Sequence, residues 1–105
     1  MNKIELNQLD RTISEAKKYA REQIEGEPDN GSCNFDHVVI KIGRTMQTNI
    51  DAMVNRGWKD YGCKNYLHIS TPNVGQANRN TKCAEAMRDH LQNEGYDCYV
   101  HYQLD

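Results

Sequence analysis

The sequence predicts a single small domain of the α/β or α+β class, because helical and strand patterns alternate along the chain and a glycine follows each helical pattern. Its 105 residues match the usual size of one domain, and 37% of them are hydrophobic. The predicted order is helix, strand, helix, strand, helix, strand. We therefore expect residues 1–105 to fold around one core, as a three-stranded sheet packed by helices.

The first predicted helix covers residues 3–25. Its apolar side chains recur at steps of three and four, which places them on one narrow seam. The seam consists of Leu6, Leu9, Ile13, Ala16 and Ala20. A seam of this kind can pack against the sheet or against a second copy of the chain, and packing within the monomer is the simpler expectation. Gly26 and Pro28 then end the helix, since proline cannot continue its hydrogen bonds.

Three strands and two further helices complete the predicted order. Strands are expected over residues 37–42, 66–70 and 96–104, and helices over 45–56 and 79–93. Because strand-helix-strand connections are normally parallel, we expect a sheet that is at least partly parallel; an α+β sheet with one antiparallel strand is the alternative. Its open edges make a homodimer through the last strand an expected state beside the monomer.

Charge disfavours direct nucleic-acid binding. The chain has 13 basic and 15 acidic side chains, a net charge of −2, which is too weak a field to hold nucleic acid by counterion release alone. Residues 1–36 contain 5 basic and 8 acidic side chains. The first helix and its following loop are therefore the acidic end of the protein, with Glu22, Glu25, Glu27 and Asp29 as its candidate partner-binding residues.

The expected location is the cytoplasm, with no membrane contact. No stretch approaches the roughly 20 apolar residues that span a bilayer, and the first five residues lack the apolar region of a signal peptide. Four cysteines without a C-x-x-C pair are expected to be free thiols. The four histidines follow no recognised ligand spacing, so no metal or cofactor is predicted. His68 and His101 would converge only if their strands were adjacent and their side chains shared a face.

The polar loop over residues 71–80 is a candidate ligand site. Strand-to-helix loops offer free N–H groups and the positive end of a helix dipole, which suit a phosphate or a carboxylate. The loop and the start of the next helix contain six residues suited to that role: Asn73, Gly75, Gln76, Asn78, Arg79 and Lys82. Neither a Walker A nor a G-x-G-x-x-G pattern is present, so an ordinary polar loop is the alternative.

Arg56, Trp58 and Tyr61 form a second candidate site after the second helix. A cation beside aromatic rings can sandwich a base or anchor a protein partner. The alternative is that Trp58 covers the core beside a solvated helix end.

Cys33 and His37 raise the alternative of a small cysteine-dependent enzyme. A thiol, the Asp36 carboxylate and an imidazole within five residues would suit nucleophilic catalysis. However, successive side chains on an extended segment point to opposite faces. We therefore assign no catalytic residue, and expect Asn34 or Asp36 to cap the loop by bonds from side chain to backbone.

Two stretches carry a resemblance to known proteins: residues 31–36, Gly-Ser-Cys-Asn-Phe-Asp, and the chain end from Glu94 to Asp97 with residues 100–105. Over about the last two-thirds of the chain they resemble small proteins of phages and mobile elements of Firmicutes and related bacteria. Those proteins are similar in size and character to anti-defence factors, including anti-CRISPR proteins that bind a type II effector nuclease. The resemblance implies a non-enzymatic protein that acts by binding, and it transfers no functional residue.

The functional hypothesis from the sequence is thus an anti-defence protein that binds a host component, most plausibly a CRISPR nuclease, through its acidic end. The alternative is an anti-defence protein that sequesters a nucleotide signal at loop 71–80, with a base on Trp58 or Tyr61.

Overall fold

The computed structural model of the chain describes residues 1–28, 34–62, 65–72 and 77–103. The elements follow the predicted order and confirm the fold class. The helices are α1 (Lys3–Gln23), α2 (Gln47–Val54) and α3 (Ala77–Asn93), and the strands are β1 (His37–Lys41), β2 (Tyr66–Ile69) and β3 (Cys98–His101). The third strand is shorter than the 96–104 predicted.

The sheet has the order β2-β1-β3, and β1 is antiparallel to both of its neighbours. The expectation of a partly parallel sheet was therefore wrong. The unit β2-α3-β3 does place its two strands parallel to each other, as the crossover rule expects. The strand β1 lies between them, however, so no parallel pair forms and the fold is α+β.

The core lies between one face of the sheet and the helices. Alternate strand residues point to this face and are buried with the helices' apolar side chains. The sheet contributes Val38, Ile40, Leu67, Ile69, Cys98 and Val100. All five residues of the predicted α1 seam are buried against this core. The seam therefore packs within the monomer.

The helices α1 and α3 pack against each other, and α2 lies beside α1 with Met53 in the same core. In the described ranges, no helix packs on the opposite face of the sheet. Within the same ranges, no helix is long and apolar enough to cross a membrane.

Candidate functional site

The uncovered face of the sheet is formed by side chains that alternate with the core residues. We call this surface the open face. Among its described residues are Phe35, His37, Val39, Lys41, Lys59, Tyr61, Tyr66, His68, Tyr99 and His101. None of these ten is acidic, although the chain as a whole has a net charge of −2.

Three imidazoles of the open face form a cluster. The rings of His37 and His101 lie directly across the β1–β3 pair, with their centroids 5.1 Å apart. The ring of His68 on β2 lies 5.0 Å from that of His37. We expected His68 and His101 to converge only if their strands were adjacent. The two strands are not adjacent, because β1 lies between them. His37 on the central strand lies between the two residues instead.

Hydrogen bonds determine the tautomers of this imidazole cluster. Nδ1 of His37 lies 2.8 Å from the carbonyl oxygen of Phe35, which can only accept, so Nδ1 carries the proton. Nε2 of a neutral His37 is then an acceptor. Nδ1 of His68 lies 2.8 Å from it and donates. Nε2 of His68 is left as an acceptor.

The surroundings of His68 favour its neutral form. Burial lowers the pKa of His68, and the neighbouring imidazoles of His37 and His101 lower it further. The Asp60 carboxylate acts in the opposite direction and raises the pKa, but by less. His68 therefore resists charging in the absence of a further anion.

Exposed aromatic rings surround the cluster. The exposed fractions are 65% for Tyr61, 56% for Phe35 and 50% for Tyr99. The ring of Tyr61 meets that of His68 edge to face, with centroids 4.6 Å apart. Val39, flanked by His68 and Tyr99 on the neighbouring strands, is only 1% exposed. The open face thus has a small apolar centre with rings standing around it.

Two lysines complete the open face. Lys59 is held beside β2 because it exchanges two backbone hydrogen bonds of 2.9 Å with His68. Lys41 lies opposite Tyr66 at the other end of β1. Each lysine is therefore placed next to an aromatic ring or an imidazole, Lys41 at the end of β1 and Lys59 at the outer side of β2, level with Val39.

A cleft of about 370 Å³ adjoins the open face where β1 begins and β2 ends. Phe35, His37, Lys59 and Tyr61 belong to both the cleft and the open face. Asp36 and Asn80 also line the cleft, and both are buried. The Asn80 amide nitrogen donates to Asn34 Oδ1 at 2.6 Å and its oxygen accepts from the Thr71 hydroxyl. These bonds stiffen the cleft.

The loop predicted as an anion site is only partly described. Asn73, Gly75 and Gln76 lie outside the described residues, and Asn78 is half-buried at the start of α3. The guanidinium of Arg79 donates to the carbonyls of Glu27 at 2.6 Å and Ile24 at 3.3 Å.

The ammonium of Lys82 pairs with Glu27 at 2.8 Å. Both cations of the predicted anion site therefore bind the segment after α1. The rule that ligands sit beyond parallel strands does not apply here, since β2 pairs antiparallel to β1.

The second predicted cluster is divided by the core. Trp58 is only 4% exposed, and its indole nitrogen donates to Asp10 at 3.0 Å. Arg56 donates to Asn7 at 2.9 Å and pairs with Asp10 at 3.5 Å. Trp58 thus covers the core, as the alternative interpretation expected. Tyr61 instead belongs to the open face.

The acidic end remains at the surface. Glu22 and Glu25 are exposed, and within the described ranges neither takes part in an ion pair. Glu27 is paired with Lys82, and Asp29 lies outside the described residues.

The described cysteines, Cys83 and Cys98, are buried free thiols. Burial raises the pKa of Cys83 and of Cys98 to about 11. Cys33, the thiol of the enzymatic alternative, lies outside the described residues. Within the described ranges, no group of three or more histidine, cysteine, aspartate or glutamate residues is arranged to hold a metal ion.

The joint surface made by His37, Tyr66, Tyr99 and His101 was not predicted from the sequence. Strand alternation placed Tyr99 and His101 on the same side of their strand. To place Tyr99 and His101 on the same surface as residues of β1 and β2, one must know how the strands pair. No local sequence pattern gives that register.

We compared the chain with protein-family models, curated protein sequences and solved structures, and found no match. The resemblance to phage anti-defence proteins therefore stays a prediction.

Proposed function

We propose that the chain is a binding domain for single-stranded nucleic acid and that the open face is its binding surface. The observation that carries the proposal is an uncovered sheet face on which exposed aromatic rings stand beside lysines and imidazoles. Sheets that bind single strands use rings of this kind to stack unpaired bases.

The stacking residues are Tyr61, Tyr99 and Phe35, each at least half exposed. Stacking one base on an aromatic side chain contributes about 1–3 kcal/mol and tolerates any base, because every base has a π-face. Three strands span about 10 Å and the five residues of β1 about 17 Å, which is room for two or three nucleotides.

The phosphates of such a strand would meet Lys41 and Lys59. This proposal departs from the expectation drawn from net charge, which averages over all surfaces. None of the ten open-face residues named above is acidic, although the Asp60 carboxylate lies near His68. Stacking supplies the affinity that a weak field cannot.

The matched pair Tyr99 and Tyr102 tests the proposal. Both are exposed tyrosines at the end of the chain, at 50% and 56%, but Tyr102 bonds to Glu85 on α3. We expect Tyr99→Ala to weaken binding of a labelled single-stranded oligonucleotide by about 5-fold to 100-fold. Tyr102→Ala should leave binding within about twofold, as measured by fluorescence anisotropy.

Equal losses in the two variants would mean that the open face is not the binding surface. Absence of binding by the unaltered chain to both RNA and DNA single strands would overturn the proposed function itself. A mononucleotide that binds as tightly as the oligonucleotide would restrict the site to the cleft.

A second candidate keeps the hypothesis of an anti-defence protein in the cytoplasm of a bacterial host. Its favouring observation is that Glu22 and Glu25 are exposed at the acidic end. These carboxylates would compete for the basic nucleic-acid-binding surface of a defence nuclease. Tyr61 on the open face would serve as an aromatic anchor in the same complex.

Charge reversal tests this second candidate. We expect Glu22→Lys with Glu25→Lys to abolish inhibition of a type II effector nuclease and capture of that nuclease by the purified chain. Glu94→Lys, an exposed carboxylate at the end of α3, is the matched control. Inhibition that survives the double reversal would rule out the acidic end as the contact.

A further inference from the structure

We infer that the imidazole cluster of His37, His68 and His101 is a phosphate-binding site that takes up one proton when a phosphate diester binds. This deepens the proposed function, and it rests on that function only for the claim that the diester belongs to a nucleic acid.

The hydrogen bond between His37 and His68 permits one added proton on that pair. If His37 is protonated at Nε2, it keeps its bond to the Phe35 carbonyl and donates to His68 Nδ1 across the same 2.8 Å. His68 then changes tautomer and carries its proton on Nε2, away from His37. With a second added proton, His37 Nε2 and His68 Nδ1 would both carry a hydrogen across that distance, and the hydrogen bond between them would break. The pair is therefore built to hold a single positive charge.

The charged and titratable groups around the cluster explain why a ligand is needed. Lys59, from the segment before β2, stands beside His68, and the imidazoles repel one another's charge. Asp60 is the neighbouring carboxylate, but its effect on the pKa of His68 is smaller than that of burial. Tyr61 packs edge to face with the His68 ring. A phosphate diester would supply the anion that these neighbours do not.

Proton uptake makes binding depend on pH in a defined direction. A bound phosphate raises the pKa of the cluster, so affinity rises as pH falls through that raised pKa and stops rising below the pKa of the unbound cluster. For a single proton the affinity increases by at most about tenfold per pH unit.

The test is a pH titration of the histidine ring signals of the whole chain by NMR. Dimethyl phosphate is the first probe, because its charge does not change in the range where histidine titrates. A single-stranded oligonucleotide and its uncharged methylphosphonate analogue are the second and third. His90, which lies between α1 and α3 beside Tyr19, is the internal reference.

We expect dimethyl phosphate and the oligonucleotide to raise the pKa of the cluster and to leave His90 unchanged. The oligonucleotide should bind about tenfold more tightly at a pH near 6 than near 7.5, and its methylphosphonate analogue should show no such gain. His101→Gln, at an exposed position, should reduce the gain without unfolding the chain.

Each other outcome is decisive. Oligonucleotide binding that is independent of pH, with unchanged histidine signals, overturns the phosphate site and leaves the proposed function standing. A response to dimethyl phosphate without oligonucleotide binding supports the phosphate site and overturns the proposed function. A response to neither probe overturns both.

Discussion

Asp36 is a buried carboxylate whose side chain joins three elements. Asp36 lies between the exposed Phe35 and the first residue of β1. Its Oδ2 accepts a hydrogen bond from the Thr81 hydroxyl on α3 at 2.6 Å. Its Oδ1 accepts from the backbone N–H of Gln103, just after β3, at 2.7 Å. The expectation that Asn34 or Asp36 would cap this loop is confirmed, since Asn34 Oδ1 also accepts from the Asp36 N–H at 3.1 Å.

This network gives a prediction on stability. Asp36→Ala leaves a backbone N–H and a hydroxyl without their acceptor, so we expect it to lower the free energy of unfolding by about 2–3 kcal/mol in urea denaturation. Glu94→Ala, at an exposed position, should change it by less than about 0.5 kcal/mol. If the two variants unfold at the same urea concentration, the network does not stabilise the fold.

At the scale of elements, the end of α1 provides the groups that the two cations of the predicted anion site contact. The last carbonyls of a helix have no partner within it. Arg79 of α3 donates to the carbonyls of Ile24 and Glu27 just beyond α1, and Lys82 pairs with the Glu27 carboxylate. The same two residues that suggested a phosphate site therefore attach α3 to the end of α1.

The segment before β2 explains why Trp58 and Tyr61 lie on opposite sides of the sheet. Lys59 pairs with His68 as a short strand would, so neighbouring residues of this segment alternate between the two sides of the sheet. Trp58 points to the core, where Asp10 of α1 accepts its N–H. Tyr61 shares the open side with Lys59. A pairing of one residue thus separates two aromatic rings that the sequence places three positions apart.

At the scale of the whole molecule, charge is unevenly distributed. The open face carries Lys41 and Lys59 with three imidazoles, while Glu22 is exposed in the last turn of α1 and Glu25 just beyond the helix. A net charge of −2 is therefore compatible with one face that attracts phosphates. The homodimer expected from the sheet edges stays a prediction.

This distribution predicts a weak dependence of nucleic-acid binding on salt. If two lysines each contact one phosphate, the slope of log affinity against log salt is about −1.4 for a single strand. We expect Lys59→Gln to bring the slope to about −0.7, and Lys82→Gln, which alters a cation outside the open face, to leave it unchanged. A slope steeper than about −3 at neutral pH would show that other cations make the contacts.

The sequence by itself determined the element order, the buried seam of α1 and the two sides of each strand. These properties follow from side-chain periods of 3.6 residues in a helix and 2 residues in a strand. Such periods can be recognised from residues that are close in the sequence. The burial of Leu6, Leu9 and Ile13 and the alternation of Cys98 with Tyr99 follow that local logic.

Only the tertiary structure decided strand direction, register and thus the candidate site. His37 and His68 are separated by 31 positions, and His37 and His101 by 64. Whether their rings meet depends on β1 lying between β2 and β3 in one register, and a shift of any one strand by a single residue would move that strand's side chains to the core face. That register is selected by the free energy of the whole core, which no segment of the chain contains alone.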